Sequence, residues 1–285
     1  MNVVFVRTFL EVVKIGNLNR AAERLHVTES TVTTRINSLE TLLGQKLLIR
    51  NRTGAELTSA GFKFMRYAEI MVQSWSQARQ ELSLSKDFQS VCNVGCHFDL
   101  WDAAGQLWVD HMRTNWPQIA MSFWAGNTGD IEKWLANGLI DVALVFDASI
   151  STAWKVHKLF DDALIEVATE ARGYMDWDPR YVYVDMGSEF RKQHAEAFPL
   201  ANTPVITISS SRWALDHILT WKGSGYLPRR LVREQLEQGQ LFHVENTPTF
   251  YRTANLVSHL DISDDWPWFE ASIADIKDEM EETLI

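Results

Sequence analysis

Apolar residues at the start of the chain recur with the period of an α-helix. Phe5, Phe9 and Val12 fall on one face and predict a helix from Asn2 to Ile15. Gly16 follows directly and is expected to end this helix, because glycine readily adopts the left-handed backbone found after helix ends.

Two further helices and a hairpin are predicted over the next forty residues. Asn19 is expected to cap a short helix from Arg20 to Leu25, and Thr28 to cap a third helix that ends before Gly44. Residues 45–57 alternate between strand-like and turn residues and predict a hairpin wing. The order of these elements predicts a winged helix-turn-helix.

The third helix has one apolar and one polar face. Val32, Ile36 and Leu39 share a stripe that we expect in the core, whereas the opposite face carries short hydrogen-bonding side chains. Such side chains suit a helix in a major groove, and flanking arginines suit phosphate contacts. The same pattern also occurs in proteins that bind no DNA. The candidate DNA-binding residues are Arg20, Thr28, Glu29, Ser30, Thr33, Thr34, Arg35, Asn37, Arg50, Arg52 and Thr53.

A long helix is predicted from Ser59 to Leu84, with Thr58 as its cap. Its apolar residues are spaced 4, 3, 4, 3 and 4, which is the repeat of a coiled-coil seam. An amphipathic helix packed on its own chain would show a similar pattern, so the spacing alone leaves both interpretations open. The seam residues are Phe64, Ala68, Met71, Trp75, Ala78 and Leu82.

From Ser90 onward, short apolar runs alternate with helical stretches, which predicts an α/β domain. Small ligands bind in such folds where a strand ends and a helix begins, and free N–H groups there favour a carboxylate. Thr128, Ser188 and Ser211 would serve equally well as ordinary helix caps. The candidate effector-binding residues are Cys96, His97, Phe98, Trp101, Asn127, Thr128, Ser188, Ser209, Ser210 and Ser211.

Charge is distributed unevenly along the 285 residues. The net charge is −10, yet the first sixty residues hold eight Lys/Arg against five Asp/Glu. A basic head on an acidic body would turn the head toward a polyanion. The start of the chain lacks the pattern of a signal peptide, and no apolar run is long enough for a membrane helix, so we expect a cytoplasmic protein without membrane contact. Cys92 and Cys96 indicate neither a disulfide framework nor a zinc site, and no cofactor or metal is expected.

Fifteen positions between residues 9 and 61 agree with one known pattern. They are Phe9, Gly16, Ala21, Ala22, Leu25, Val32, Ile36, Leu39, Glu40, Gly44, Leu47, Arg50, Leu57, Thr58 and Gly61. These residues resemble the LysR-type family of transcription regulators, and the resemblance extends more loosely along nearly the whole chain. Departures occur at Thr28-Glu29, where the family usually has Ser-Gln, and at Thr34 and Arg35. They put the family's usual operator preference in doubt.

The resemblance implies a multi-domain α/β architecture. It implies a winged helix-turn-helix over residues 1–58, a linker and dimerisation helix over 59–87, and an effector domain over 88–285. That domain resembles a type II periplasmic binding protein, with subdomain 1 formed by 88–163 and 258–285 and subdomain 2 by 164–257. Crossover strands are expected near Leu164–Thr169 and Tyr251–Val257, and the C-terminal helix is expected to return to subdomain 1.

We therefore expect a sequence-specific regulator that binds double-stranded DNA and is modulated by a small-molecule effector. An aromatic carboxylic acid is our candidate, because helix N-termini select an anion and Trp101, Trp124 and Trp213 are expected near the pocket corners. Control by cysteine oxidation or by protein contact is the alternative. The resemblance implies a homodimer or homotetramer and RNA polymerase as a further partner. No enzymatic motif is present, so we do not expect an enzyme.

Overall fold

The computed structural model describes residues 2–51, 54–83, 87–174, 178–200, 203–262 and 266–284. Contacts divide the chain into two units. The first consists of Met1–Asp87 with Asn137–Leu139, and the second of Phe88–Ala136 with Ile140–Ile285.

Side-chain caps set the starts of the helices in the first unit. Asn17 accepts a hydrogen bond from the Arg20 amide at 3.0 Å, so α2 spans Leu18–Arg24. The predicted cap, Asn19, is wrong because Asn17 supplies the bond and the helix has already begun at Leu18. Thr28 caps as predicted and accepts from the Thr31 amide at 3.2 Å. The other elements of this unit are α1 (Val3–Ile15), α3 (Glu29–Leu43), β1 (Leu48–Asn51), β2 (Gly54–Leu57) and α4 (Ser59–Leu82).

The apolar stripe of α3 lies in the core of this unit. Val32, Ile36 and Leu39 are buried against Phe9 of α1, as the periodicity predicts. Strands β1 and β2 pair antiparallel and form the predicted hairpin. Its turn residues Arg52 and Thr53 lie outside the described residues, as does the side chain of Arg50.

A buried carboxylate joins α3 to the hairpin. Glu40 Oε1 accepts hydrogen bonds from the amides of Leu47 and Leu48, at 2.9 and 3.2 Å. Its Oε2 accepts from Lys46 Nζ at 2.7 Å. Burial alone would raise the pKa of Glu40, but Lys46 and the two amides hold the pKa below its ordinary value.

Glu40→Gln is expected to lower the stability of this unit by about 1–2 kcal/mol, because a charge-assisted contact with Lys46 is lost. A lowered carboxyl pKa stabilises the fold above the unfolded value of 4.5, and this contribution is lost as the pH falls. The variant should therefore differ most from the parent at neutral pH and least in acid. Urea unfolding followed by circular dichroism tests this, with exposed Glu23→Gln as the control. Equal stability at pH 7 would contradict the assignment.

The predicted coiled-coil seam divides into two parts on α4. Ala68 is fully buried, and Phe64 and Met71 pack with it in the core around Phe9. The rings of Phe9 and Phe64 lie 5.4 Å apart. For these three residues the seam prediction is wrong, because α1 covers the apolar face of the helix within the same chain. Beyond them, Trp75, Ala78 and Leu82 are exposed.

The described strands of the second unit are β3 (Ser90–His97), β4 (Ile119–Gly126), β5 (Val142–Phe146), β6 (Trp154–Ala168), β7 (Val182–Val184), β8 (Ile206–Ile208), β9 (Ser224–Pro228), β10 (Phe242–His243) and β11 (Phe250–His259). Seven of them form one sheet in the order β10-β6-β11-β5-β3-β4, with β9 paired to β6, whereas β7 and β8 pair with each other. Strands β3, β4 and β5 are parallel, as expected for strands joined by helices. The α-helices are α5 (Gln106–Asn115), α6 (Thr128–Ala136), α7 (Ser188–Ala197), α8 (Ser211–Trp221), α9 (Arg229–Glu237) and α10 (Phe269–Leu284).

Three hydrophobic clusters among the described residues of this unit, two on one side and one on the other, define two lobes. We call the elements β3, α5, β4, α6, β5 and α10 the first lobe, and β7, α7, β8, α8, β9 and α9 the second lobe. Strand β6 passes from one core to the other between Leu159 and Leu164, and β11 does so between Ala254 and Phe250. The passage on β6 therefore comes earlier than the expected Leu164–Thr169. Helix α10 packs in the first-lobe core, as expected.

None of the helices in the described ranges combines the length and apolarity needed to cross a bilayer.

Candidate DNA interface and effector site

The polar face of α3 is accessible, as a base-reading helix requires. Ser30, Thr34 and Asn37 are exposed, and Thr33 is half-buried. The Thr34 hydroxyl donates to the Ser30 carbonyl at 2.9 Å, so its hydrogen is used within the helix. The exposed amide of Asn37 has both a donor and an acceptor group, which is the pair that reads adenine in the major groove.

The flanking basic residues differ in their surroundings. Arg20 is exposed at the start of α2, as a phosphate contact requires. Arg35 is half-buried, and its Nη1 donates to Thr8 Oγ1 of α1 at 3.3 Å. Thr28 is used as a helix cap, and Glu29 is exposed beside it. The geometry thus favours Arg20 over Arg35 as the residue that contacts the phosphate backbone of DNA.

In the second unit, the predicted effector residues fall into three groups. His97, Phe98, Thr128, Ser210 and Ser211 lie close to a polar cluster between the lobes, described below. Asn127 caps α6 by accepting from the Asp130 amide at 3.0 Å, so the alternative interpretation of Thr128 as the cap of this helix is wrong. Cys96 is buried in the first-lobe core, and Trp101, Ser188 and Ser209 are exposed.

The centre of the cluster is the carboxylate of Asp99, which follows β3 in a 3-10 turn. Its Oδ1 accepts from the Ser211 amide at 3.0 Å, and its Oδ2 accepts from Ser211 Oγ at 2.6 Å. Nη2 of Arg252 also donates to Oδ2, at 3.2 Å. Burial alone would raise the pKa of Asp99, but Arg252 and Ser211 hold the pKa below its ordinary value.

A second buried carboxylate completes the cluster. Asp162 of β6 accepts from Arg230 Nε at 2.9 Å, and from Arg252 Nε and Nη2 at 3.1 and 3.0 Å. Arg230 Nη2 also donates to the Asp99 carbonyl at 2.7 Å. Two aspartates thus face two arginines, so the cluster is close to neutral.

Aromatic rings pack against the polar cluster on the side of Phe146 and His97. The guanidinium carbon of Arg252 lies 3.6 Å from the centroid of the Phe146 ring, and the His97 ring lies 5.2 Å from that centroid. Burial lowers the pKa of His97 to about 4, so the ring is neutral at pH 7. Thr128 Oγ1 donates to the Phe146 carbonyl at 3.2 Å. The ring of Phe98, 5.0 Å from that of His97, is partly exposed.

Sequence reasoning missed Asp99, Asp162, Arg230 and Arg252. A signal was present in the crossover strands. Arg252 alternates with Phe250 and Ala254 on the buried face of β11, and Asp162 precedes Leu164 by two residues on β6. A charged residue in register with buried apolar neighbours needs a partner, because an unpaired buried charge is very costly.

Two family models match the chain. The model described as "Bacterial regulatory helix-turn-helix protein, lysR family" matches residues 5–62, and the model "LysR substrate binding domain" matches residues 102–261. The regulator HdfR of Escherichia coli O17:K52:H18 is 28% identical over 255 residues, which cover 88% of this chain and 90% of that protein. HdfR of Shigella boydii serotype 18 is 27% identical over the same coverage.

Solved structures share the fold at lower identity. The crystal structure of CbnR, a LysR family transcriptional regulator, matches with a TM-score of 0.72 at 15% identity over 98% of this chain and 99% of that one. Vibrio fischeri DarR in complex with DNA matches with a TM-score of 0.56 at 20% identity over 90% and 92%.

Proposed function

The chain belongs to the LysR family of bacterial transcription regulators and is a DNA-binding regulator with an effector-binding domain. We propose that a small molecule bound between the two lobes controls its binding to DNA.

One observation carries the proposal: polar contacts join the lobes, whereas each lobe has its own apolar core. Asp99 and Asp102 of the first lobe bind Ser211 and Arg212 of the second, the latter pair at 2.8 Å. Polar interfaces of this kind allow relative movement of the parts they join. A ligand that touches both lobes would change their angle according to its differential affinity for the two arrangements.

Partly exposed aromatic rings support an aromatic effector. Phe98 and Trp101 lie on either side of Asp99 in the sequence and are 40% and 38% exposed. The carboxylate of the predicted effector would have to compete with the carboxylate of Asp99, because the amide and hydroxyl of Ser211 already donate to Asp99. We therefore keep an aromatic effector as the proposal and make its charge an outcome of the test.

The test uses the full chain and duplexes that it selects from a random library. Aromatic carboxylates, their neutral amides and aliphatic carboxylates are screened by thermal shift, and each hit is titrated against the selected duplex by fluorescence anisotropy. We expect an aromatic compound to raise Tm and to change the affinity for DNA. If every compound that raises Tm leaves DNA affinity unchanged, control through a site between the lobes is wrong.

Cysteine oxidation is the alternative route of control, and the surroundings of the thiols speak against it. Cys92 and Cys96 are buried, and burial raises the pKa of Cys96 to about 12. The thiolate is the reactive form, so both side chains are expected to react slowly with peroxide. Peroxide treatment should leave DNA affinity unchanged and should add no oxygen to either cysteine. An affinity change that Cys96→Ala abolishes would favour oxidation instead.

We also propose that the chain dimerises through the distal half of α4, since two heads are needed to read two half-sites. Trp75 and Leu82 are exposed by 51% and 90% there. Trp75→Glu is expected to shift the mass by light scattering from dimer toward monomer and to weaken DNA binding. Lys63→Glu, an exposed change near the start of α4, is the control. An unchanged mass for Trp75→Glu would place the interface elsewhere.

A further inference from the structure

We propose that Asp99 is a tethered ligand: its carboxylate fills an anion site of the effector domain that would otherwise accept a small free carboxylate. The site consists of the first turn of α8 and the guanidinium of Arg252. The hydrogen bonds and burial of these groups are sufficient to support the anion site. Its effect on DNA binding rests on the proposed function.

The start of α8 has the features of an anion site and lacks a cap of its own. The helix has eleven residues, and its N-cap residue, Ser210, makes no side-chain capping bond. Both donors of Ser211, the amide and the hydroxyl, point at the carboxylate of Asp99. The amides and dipole at a helix start favour a negative charge, so a residue from the other lobe does here what a bound anion would do.

Arg252 supplies a second, independent indication. Its side chain is buried, and its Nη1 has no hydrogen-bond partner among the described residues. Asp99 and Asp162 use only Nε and Nη2. A buried donor without an acceptor is costly, so a free carboxylate in the place of Asp99, with both oxygens untethered, could satisfy a donor that the Asp99 side chain does not reach.

Charge balance explains why the site takes one anion and no more. Asp99 and Asp162 are matched by Arg230 and Arg252, and His97 is neutral. A second carboxylate beside Asp99 would be an unmatched charge in a buried place, which is strongly unfavourable. A free carboxylate can therefore bind only where Asp99 leaves.

The tether also connects the lobes. Asp99 follows β3 of the first lobe, whereas Ser211 begins α8 of the second, and Arg230 of α9 holds the Asp99 carbonyl. Contact between the two lobes at these groups thus needs no small molecule. A carboxylate effector would compete with a group of the same chemistry that is already in place, and an effector without a carboxylate would not.

Asp99→Ala in the full chain tests the proposal by rescue with formate or acetate. We expect the variant to have a lower Tm, and either anion to restore it saturably, relative to chloride at equal ionic strength. The apparent Kd for formate should be lower in the variant than in the parent by roughly tenfold or more. A tenfold change corresponds to about 1.4 kcal/mol of binding free energy. Asp102→Ala removes a neighbouring, exposed carboxylate that also binds α8 and should show no rescue.

Asp99→Asn keeps the site filled with a neutral side chain of the same shape. This variant should fold and its Tm should not respond to formate. It can therefore replace Asp99→Ala in the test if Asp99→Ala does not fold. Equal stabilisation of parent and Asp99→Ala by formate would overturn the proposal, as would a response of Asp99→Asn equal to that expected for Asp99→Ala. Rescue of Tm without any change in DNA affinity would support the anion site and contradict control of DNA binding through a site between the lobes.

Discussion

Arg252→Met is expected to lower the stability of the effector domain by about 3–5 kcal/mol, because breaking a buried ion pair leaves a buried charge without a partner. Arg252 is the partner of both Asp99 and Asp162, and its removal leaves two carboxylates with Arg230 alone. The methionine side chain replaces most of the volume, so the loss measures charge and hydrogen bonding more than packing.

The dependence on pH should weaken in this variant. In the parent, the pKa of Asp99 lies below its ordinary value of 3.8, so its contribution is present above that pH and lost as the pH falls. Without Arg252, the two hydrogen bonds from Ser211 are left to oppose the effect of burial, so the pKa of Asp99 should rise and less of this stability should be present at neutral pH. Parent and variant should therefore differ least in acid.

Urea unfolding followed by tryptophan fluorescence at several pH values measures both effects. Arg229→Met is the matched control, because Arg229 is exposed on α9 next to Arg230 and should change stability by less than about 0.5 kcal/mol. Arg252→Lys should rescue only part of the loss, since one ammonium cannot reproduce the contacts of Nε and Nη2 while stacking on Phe146. A loss of stability below about 1 kcal/mol for Arg252→Met is typical of a surface substitution and would contradict a buried ion-pair cluster at Arg252.

Short sequence patterns predict the helix bounds of the N-terminal helix-turn-helix, residues 1–58, to within about two residues. Thr28 caps α3 because its hydroxyl is the first available acceptor before an apolar stripe, and that information lies within four residues of sequence. The start of α2 was missed by two residues because Asn17 and Asn19 both suit a cap. Asn17 is the cap because its backbone, directly after Gly16, is extended (φ −150°, ψ 129°), which is the conformation of an N-cap residue.

The seam on α4 shows what periodicity cannot decide. A 3.5-residue repeat indicates that one face of a helix is covered, but not by which surface. Phe9 of the same chain covers Phe64, so the first half of the stripe belongs to the head, and Trp75 begins the exposed part. The alternative interpretation was correct for one half of the helix.

Local pattern reaches the edge of the polar cluster between the lobes and misses its buried centre. The sequence placed Ser211 at a helix start, where donors are free, and that much follows from local pattern. The occupant of those donors is Asp99, 112 residues earlier in the chain, and its partner Arg252 lies 153 residues after it. Contacts of such separation depend on how the lobes close, which no local period encodes.

Asn37→Ala is expected to weaken binding to the selected duplex by about 1–3 kcal/mol, roughly five- to 150-fold, and to relax the choice of base at one position. Asn37 is exposed at the middle of α3, whereas the stripe of Val32 and Ile36 on the other side is buried, so its amide can be presented to a groove without disturbing the core.

Arg20→Ala is the matched variant for a contact that carries no base information. Arg20 is exposed at the start of α2, and its loss should weaken selected and random duplexes alike and lower the slope of log affinity against log salt by about one. The two variants should thus separate in a plot of specific against non-specific affinity measured by anisotropy over a salt series. If Asn37→Ala weakens random and selected DNA equally, α3 does not read bases through this residue, and the groove face must lie elsewhere on the helix.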